Sequence, residues 1–590
     1  MALRESPFPN GFAEGLHAVG WGLIMPCFWF LDRLLAVCHS TSLEWRQRRE
    51  EECYLHPLRV FFGVLFLLAL FIISTPIAFL GFLLWAPLQA VRRPFSYHQE
   101  RVVHPEAQEC SQSWLHNGGK ATFSFVAGNV CLLPDGLARF NNLGHSQRRA
   151  AAIGQLIAQG ISRPHISIFA DTPSSSGTLS PTNSLLSQHL PGSYGAMDSY
   201  MQSPLANCSS EGCVDGTVAW TGSGDTTGSV PDENKQGPTL PSCDVPPSGT
   251  KCSLKSNQHS SREQGHAPRA FRVQDQHDDV RCEVSTLFPP NVDIVCLEEV
   301  FDKRAAHRLK EALSTILGHV LYDVGAYAFQ PHGCCSFKFF NSGLFVASRY
   351  PILEAEYHCY PNGRGEDALA AKGLLSVKVF IGLTQRQKPV IGYFNCTHLH
   401  APEGEGEIRC EQLNLLMKWI EEFQTRTKEA DEVVVFDVLC GDFNFDNCSP
   451  DDVLEQSHHV FQYYRDPCRA AQGKEKPWVI GTLLEQPTLY HEDVSTPERL
   501  QKTLETEELR KQYISPPVPL DESSMVYPDS GSPWVGRRID YILYRESTLA
   551  KHCYSEVEEF TFVTQLAGLT DHIPVGLRMN VTLNSDSTDL

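Results

Sequence analysis

Hydrophobic and polar positions divide the chain into three regimes. Residues 16–31 and 60–91 run for 16 and 32 positions without Asp, Glu, Lys or Arg, interrupted by Pro26, Pro76 and Pro87. At about 1.5 Å per residue these runs make helices of about 24 Å and about 48 Å, against a hydrocarbon core of about 30 Å. Pro76 splits the longer run into halves of similar reach, which predicts a hairpin that enters and leaves a membrane on one side. From about Trp114 the pattern changes to short apolar runs broken by turns. These predict strands at 121–131, 166–170, 291–300, 344–347, 374–381, 390–396 and 541–544, and a buried strand from Val433 that ends abruptly in Gly441-Asp442-Phe443-Asn444. Helical spacing predicts helices at 146–161, with Ser146 as N-cap, at 303–317 and near 408–423. Strands with helices between them indicate a layered α/β domain. Between residues 171 and 279 the sequence turns to Ser, Gly, Pro, Thr, Asn and Asp. Such a segment buries too little to offset its ordering entropy, so a disordered insert is expected, with Ser174, Ser175 and Ser176 as candidate phosphorylation sites. Closure entropy grows only logarithmically with length, so the fold can accommodate it.

Basic residues bracket the apolar runs. Arg33, Arg46, Arg48 and Arg49 follow the first, and Arg92, Arg93 and Arg101 follow the second. Positive flanks on every side favour the cytosol and can attract anionic headgroups. The start of the chain lacks the charged n-region and cleavage site of a signal peptide. A first region, 1–105, is therefore read as membrane-embedded, and Cys38 and Cys53 beside it are candidate palmitoylation sites. The net charge of −20 offers no basic footprint for nucleic acid. Twenty cysteines without regular spacing argue for free thiols in a reducing compartment. The catalytic region is expected at 114–170 plus 280–583, facing the cytosol. Residues 584–590 form a polar tail whose Thr588-Asp589-Leu590 end can add to a PDZ-type sheet edge.

Candidate chemistry collects at the ends of strand-like runs. The segment VVVFDVLCGDFNFDN, residues 433–447, ends its apolar run in Asp442 and Asn444. A carboxylate and a carboxamide two residues apart can grip a phosphate or aim a water at it, although the same pair also makes ordinary turns. Alternation places both on one side of the chain, with Phe443 on the other. Asn129, Glu299 and the Asp571-His572 pair occupy comparable positions after other runs.

In order, the motifs are Asn129, Leu297-Glu298-Glu299-Val300, Thr397-His398-Leu399, Gly441-Asp442-Phe443-Asn444, Arg538-Ile539-Asp540-Tyr541 and Leu569-Thr570-Asp571-His572-Ile573-Pro574. This series resembles the exonuclease–endonuclease–phosphatase superfamily, whose fold is the DNase I-like four-layer α/β sandwich. Within it the chain is similar to the membrane-embedded neutral sphingomyelinases. The likeness extends to residues 82–89 (FLLWAPLQ), 129–134 (NVCLLP), 299–304 (EVFDKR), 333–337 (GCCSF) and 396–401 (CTHLHA). One departure is Glu298, where many members carry Gln; it leaves open which of two adjacent acids faces a metal.

The resemblance implies a sphingomyelin phosphodiesterase that releases ceramide and phosphocholine. It implies Mg²⁺, with Mn²⁺ as an alternative, held by Glu299, Asn129 and Asp571; hard oxygens with few carboxylates suit such an ion. His572 would be the general base, steadied by Asp540, with Asp442 as a competitor for that role. Asn444 would orient water or phosphate. His398 would donate to a phosphoryl oxygen or protonate the leaving group, with His400 as a less favoured substitute. The stretch from Asp367 to Lys372 resembles a mobile regulatory loop, whose two charges can pair across a turn or switch partners. Anionic phospholipids are the expected activators, and Golgi, plasma, mitochondria-associated and endoplasmic-reticulum membranes all fit the relatives. A same-fold nuclease or inositol-phosphate phosphatase and a non-catalytic membrane scaffold are the competing readings.

Overall fold

The computed structural model describes residues 3–50, 56–100, 119–163, 280–329, 337–520 and 534–583. The expected strand at 166–170, the insert at 171–279 with its serines, Cys53, Arg101 and the tail at 584–590 lie outside these residues.

Thirteen strands form two mixed sheets. They are β1 (Ser96–Gln99), β2 (Lys120–Asn129), β3 (Arg281–Ser285), β4 (Ile294–Glu298), β5 (His319–Tyr322), β6 (Phe345–Ser348), β7 (Ile352–Cys359), β8 (Gly373–Leu383), β9 (Pro389–His398), β10 (Val433–Asp442), β11 (Asp540–Tyr544), β12 (Cys553–Val563) and β13 (Val575–Leu583). The first sheet has the order β1-β5-β6-β4-β2-β13-β12-β3 and the second β11-β10-β9-β8-β7. Strand periodicity explains how they pack. In β4, Ile294 and Cys296 face the space between the sheets, while Val295 and Leu297 face outward onto helices. Between the sheets Phe125 packs 6.0 Å from Phe394 and 5.0 Å from Phe436, ring centre to ring centre. Helices α4 (Ser146–Ile161) and α5 (Lys303–Leu317) cover the outer face of the first sheet, and α6 (Gly406–Thr427) covers the second. Four layers result, as the resemblance implied.

Three helices precede this sandwich: α1 (Gly11–Cys38), α2 (Ser42–Glu50) and α3 (His56–Leu88). Both α1 and α3 are long and apolar enough to cross a membrane. They cross where Gly81 meets Gly20; a Cβ on Gly81 would lie 2.7 Å from the Gly20 carbonyl oxygen, the close approach that small residues permit. The break expected at Pro76 is absent. α3 runs unbroken through Pro76, and the Ser74 and Thr75 hydroxyls both donate to the Phe71 carbonyl (3.0 and 2.7 Å). Side-chain hydroxyls of this kind support the backbone around a proline inside an apolar helix.

Helix α1 is bound to the sandwich at its middle and toward its C-terminal end. Trp21 lies under the Lys303 ammonium (5.4 Å), while Asp32 accepts from the Gly136 amide (2.7 Å) and Arg33 donates to Asp135 (2.7 Å). The sandwich also begins earlier than residue 114, because β1 pairs with β5 from within the stretch assigned to the membrane. Ser146 is the first helical residue of α4 rather than its cap; that position belongs to His145, in the left-handed region at φ 57°. β12 and β13, absent from the sequence reading, complete the first sheet.

Candidate active site

Strand register assembles the site. Asn129 stands opposite Glu298 on parallel β2 and β4, His398 opposite Asp442 on parallel β9 and β10, and Asp442 opposite Asp540 on antiparallel β10 and β11. The two sheets end together, since the Asn129 carboxamide donates to Asp442 Oδ2 across 3.0 Å. Past each strand the chain turns sharply. Glu299 and Asn444 take left-handed φ of 58° and 55°, and Gly441 sits at φ 137° where a Cβ would lie 1.9 Å from the Thr397 carbonyl oxygen. Asn444 therefore does not continue the alternation expected from the sequence. Its amide donates to Asp442 Oδ1 (2.9 Å) and its carboxamide to the Leu399 carbonyl (3.0 Å), while Phe443 joins the core under α6.

Asp442 Oδ2 is the hub. Besides Asn129 it has His398 Nε2 at 3.6 Å and His572 Nε2 at 4.0 Å. The other nitrogen of His572 lies 2.9 Å from Asp540 Oδ2, the pairing the resemblance implied. Thr570 braces this end, accepting from the His572 amide (3.3 Å) and donating to the Asn129 carbonyl (2.8 Å). Gln486 donates to Asp571 Oδ2 (3.0 Å) and so fixes which carboxylate oxygen stays open. Sequence reasoning missed Thr570 and Gln486; a lone Gln in a short turn carries no pattern to find.

Electrostatics follow from this crowding. Burial alone would depress the His572 imidazolium, but the Asp540 carboxylate, then Asp442 and Asp571, outweigh it and hold its pKa well above the usual range. Burial pushes the Asp442 carboxyl up, opposed by His572, reinforced by Asp540 and opposed again by Asn129. His398 is held well below its usual range, by burial first and then by Lys372. The two adjacent acids separate. Glu298 is buried with Oε1 accepting from the Cys296 thiol (3.0 Å), and burial raises its carboxyl well above normal. Glu299 is raised by burial and by Asp571, with the Asn129 amide, Lys372 and His572 acting against this.

Glu299 Oε2 and Asp571 Oδ1 are both buried without a hydrogen-bond partner. Two acids that repel one another across such a space fit a hard divalent cation, while the Asn129 carboxamide oxygen accepts from the Cys131 amide (3.0 Å). Among the described residues no group of three or more His, Cys, Asp or Glu is placed to enclose a metal.

Asp367 and Lys372 are paired, 2.9 Å apart, and buried rather than solvated. Asp367 also accepts from the Ala401 amide (2.7 Å), and Lys372 donates to the Leu399 carbonyl (3.1 Å). Although burial works against it, Lys372 holds the Asp367 carboxyl far below the usual carboxylate range. His400 lies between Asp367 (3.1 Å) and Glu405 (2.5 Å), turned to this loop rather than to Asp442.

The arginines do not act as one set. Arg92, 3% exposed, pairs with Asp323 (2.8 Å) and donates to the Asp323 and Gly325 carbonyls (2.7 Å each), which corrects the expectation that it meets headgroups. Arg33 is likewise engaged, by Asp32 and Asp135. Arg46 donates to the Tyr490 carbonyl (2.7 Å), Arg48 to Ser40 (2.5 Å), and Arg49 lies over the Trp45 ring (5.1 Å). The Arg93 amide donates to the Pro7 carbonyl (2.8 Å). All twelve described cysteines are free thiols, as the sequence suggested.

Residues 12–91 match the family described as the neutral sphingomyelinase N-terminal transmembrane region, and residues 271–572 match the endonuclease/exonuclease/phosphatase family. Sphingomyelin phosphodiesterase 5 of Danio rerio is 60% identical over 589 residues, covering 99% of this chain and 100% of its own. Sphingomyelin phosphodiesterase 3 of Homo sapiens is 41% identical over 665 residues, covering 99% of both chains. Sphingomyelin phosphodiesterase 5 of Mus musculus is 35% identical over 593 residues, covering 98% of this chain and 95% of its own. With the four-layer sandwich, the strand-end site and the two apolar helices, these matches show a membrane-bound enzyme that belongs to the neutral sphingomyelinase family.

Proposed function

We propose that this protein is a Mg²⁺-dependent phosphodiesterase that hydrolyses sphingomyelin in its own membrane to ceramide and phosphocholine. The observation that carries the reading is the meeting of Asn129, His398, Asp442, Asp540 and His572 at one end of the sandwich. A divalent ion held by Glu299, Asn129 and Asp571 would supply positive charge to the phosphate oxygens and the leaving alkoxide.

The chain's own residues do the rest. Asp442 and His572 face each other across 4.0 Å, too far for a direct bond, and both are pushed upward in pKa. A single proton there titrates as a property of the pair, so the two together form the base for an entering water. Asp540 accepts from the His572 Nδ1–H and orients the ring so that Nε2 faces Asp442 and the entering water. His398, held neutral by burial, is suited to donating a hydrogen bond to a phosphoryl oxygen, not to protonating the leaving group. Asn444 keeps Leu399 and the His398 strand end in place and leaves its amide oxygen for water or phosphate.

Helix α1 touches the sandwich at Trp21 and at Asp32–Arg33, and α3 touches it through Phe82 and Trp85 near its C-terminal end. The basic residues that flank both helices support a cytosolic placement of the sandwich. Arg46, Arg48 and Arg49 remain candidates for anionic headgroups, and the exposed Cys38 thiol for acylation.

Purified protein on mixed-lipid vesicles, with Mg²⁺ and then with chelator, tests the reading when every released headgroup is analysed. Phosphocholine in the Mg²⁺ arm alone is expected. Nucleotide or inorganic phosphate release, or equal turnover in chelator, overturns it. His572→Ala should lower turnover by at least about 10²-fold, the lower range for an acid–base residue.

A further inference from the structure

An aromatic ridge runs beside the apolar helices and has no place in the chemistry above. Ala328–Phe329 and Phe337–Lys338 pair as a short antiparallel ladder. Phe329 is 66% exposed and stacks edge-on to Phe337 (5.2 Å). Phe337 in turn meets Phe82 of α3 (6.0 Å), and Phe339 meets Phe28 of α1 (5.8 Å) while remaining 44% exposed. The ridge thus continues the apolar surface of both helices. Leu369, 46% exposed, extends it onto the loop that carries Asp367 and Lys372.

Hydrogen bonds tie ridge and loop into one unit. The Phe339 and Phe340 amides both donate to the Leu369 carbonyl (2.7 and 3.0 Å), and the Ala371 amide donates to the Phe340 carbonyl (3.2 Å). The buried Lys338 ammonium donates to the Ala368 carbonyl (2.9 Å). A ridge displaced by a few ångströms would carry Leu369 with it, and Asp367 and Lys372 flank that residue.

We propose that Phe329, Phe339 and Leu369 insert into the acyl–headgroup boundary of the bilayer that holds α1 and α3, and so report lipid contact to the Asp367–Lys372 loop. Exposed apolar side chains in one contiguous patch mark a binding surface. Direct continuity with two membrane helices makes lipid its occupant, and aromatic rings on an interfacial element suit that depth. The proposal rests on the reading of the site as one acting on a bilayer lipid.

Full-length protein in phosphatidylcholine–sphingomyelin vesicles tests it. The double substitution Phe329→Ser with Phe339→Ser should lower phosphocholine release from vesicles by roughly tenfold, since each serine removes an apolar side chain from the lipid boundary. Hydrolysis of water-soluble p-nitrophenyl phosphorylcholine should stay near wild type, and Phe329→Leu with Phe339→Leu should restore the vesicle rate. Unchanged vesicle activity, an equal fall on both substrates, or failure of the leucine pair to restore the rate overturns the proposal. A second measurement needs no turnover. Phe339→Trp adds emission in plain phosphatidylcholine, and most of that added emission should vanish in acyl-brominated phosphatidylcholine. Persistence of the emission overturns lipid insertion, and cross-linking to a second copy through the ridge would then identify a protein face. Should wild type leave the vesicle lipid uncleaved, the functional reading fails, while the quenching still decides the ridge.

Discussion

At the scale of single residues, the site depends on a carboxylate–imidazole pair whose charges are set by neighbours and not by solvent. Asp540 accepts from His572 Nδ1 and is its strongest stabiliser after burial is set against it. Asp540→Asn removes the charge that raises His572, so the acidic limb of the kcat/KM profile should move to lower pH. Turnover should fall as well, because an amide can present either an oxygen or an N–H to the ring. A profile whose acidic limb stays in place shows that Asp540 does not act on His572. The pairing itself was legible in sequence, since Asp540 and His572 lie in two motifs with a shared family likeness. Gln486 and Thr570 were not, because their roles come from where other elements place Asp571 and Asn129. Glu298 was legible as a departure but not as a buried acid bonded to Cys296; that required knowing which side of β4 faces the second sheet.

At the scale of elements, register explains why six weak signatures converge. Three adjacent strands deliver His398, Asp442 and Asp540 in a row, and the other sheet delivers Asn129 and Glu298 beside them. Most buried strands could be read from apolar runs, whereas β12, written CYSEVEEFTFV, hides its pattern under a polar outer face. Pro76 misled for a related reason: proline in an apolar helix is tolerated where hydroxyl side chains support the neighbouring backbone. The loop from Asp367 to Lys372 gives a prediction at this scale. Lys372→Ala leaves Asp367 buried with the Ala401 amide and His400 but without its ammonium. Lipid-stimulated turnover on vesicles should fall by at least about tenfold, while binding to the vesicles persists. Full lipid-stimulated activity in that variant would remove the loop from any account of activation.

At the scale of the molecule, Asp323 joins the helical region to the sandwich. It takes Arg92 from just past α3, lies 3.5 Å from Lys303 of α5 and accepts from Asn341 (3.3 Å), next to the turn that packs on Glu299. Burial opposes its charge, yet Arg92 and then Lys303 hold its pKa well below the ordinary carboxylate range. A depressed folded-state pKa contributes stability above the unfolded value, about 3.9, and loses it as the pH falls below that. Asp323→Asn should therefore be less stable than wild type at pH 7, by about 3 kcal/mol, with the buried Arg92 and the half-buried Lys303 left without their carboxylate. The gap should narrow as the pH falls from 4 to lower values. Thermal unfolding of both proteins across that range checks it, and a gap independent of pH would contradict the linkage.

Helix α1, fastened at Trp21 and again at Asp32, ties the site to the two apolar helices that mark a membrane protein. A catalyst seated so firmly searches in two dimensions and does not exchange readily between particles. On a dilute population of vesicles, hydrolysis should level off at the fraction of vesicles that carry a molecule, and adding empty ones should leave them intact.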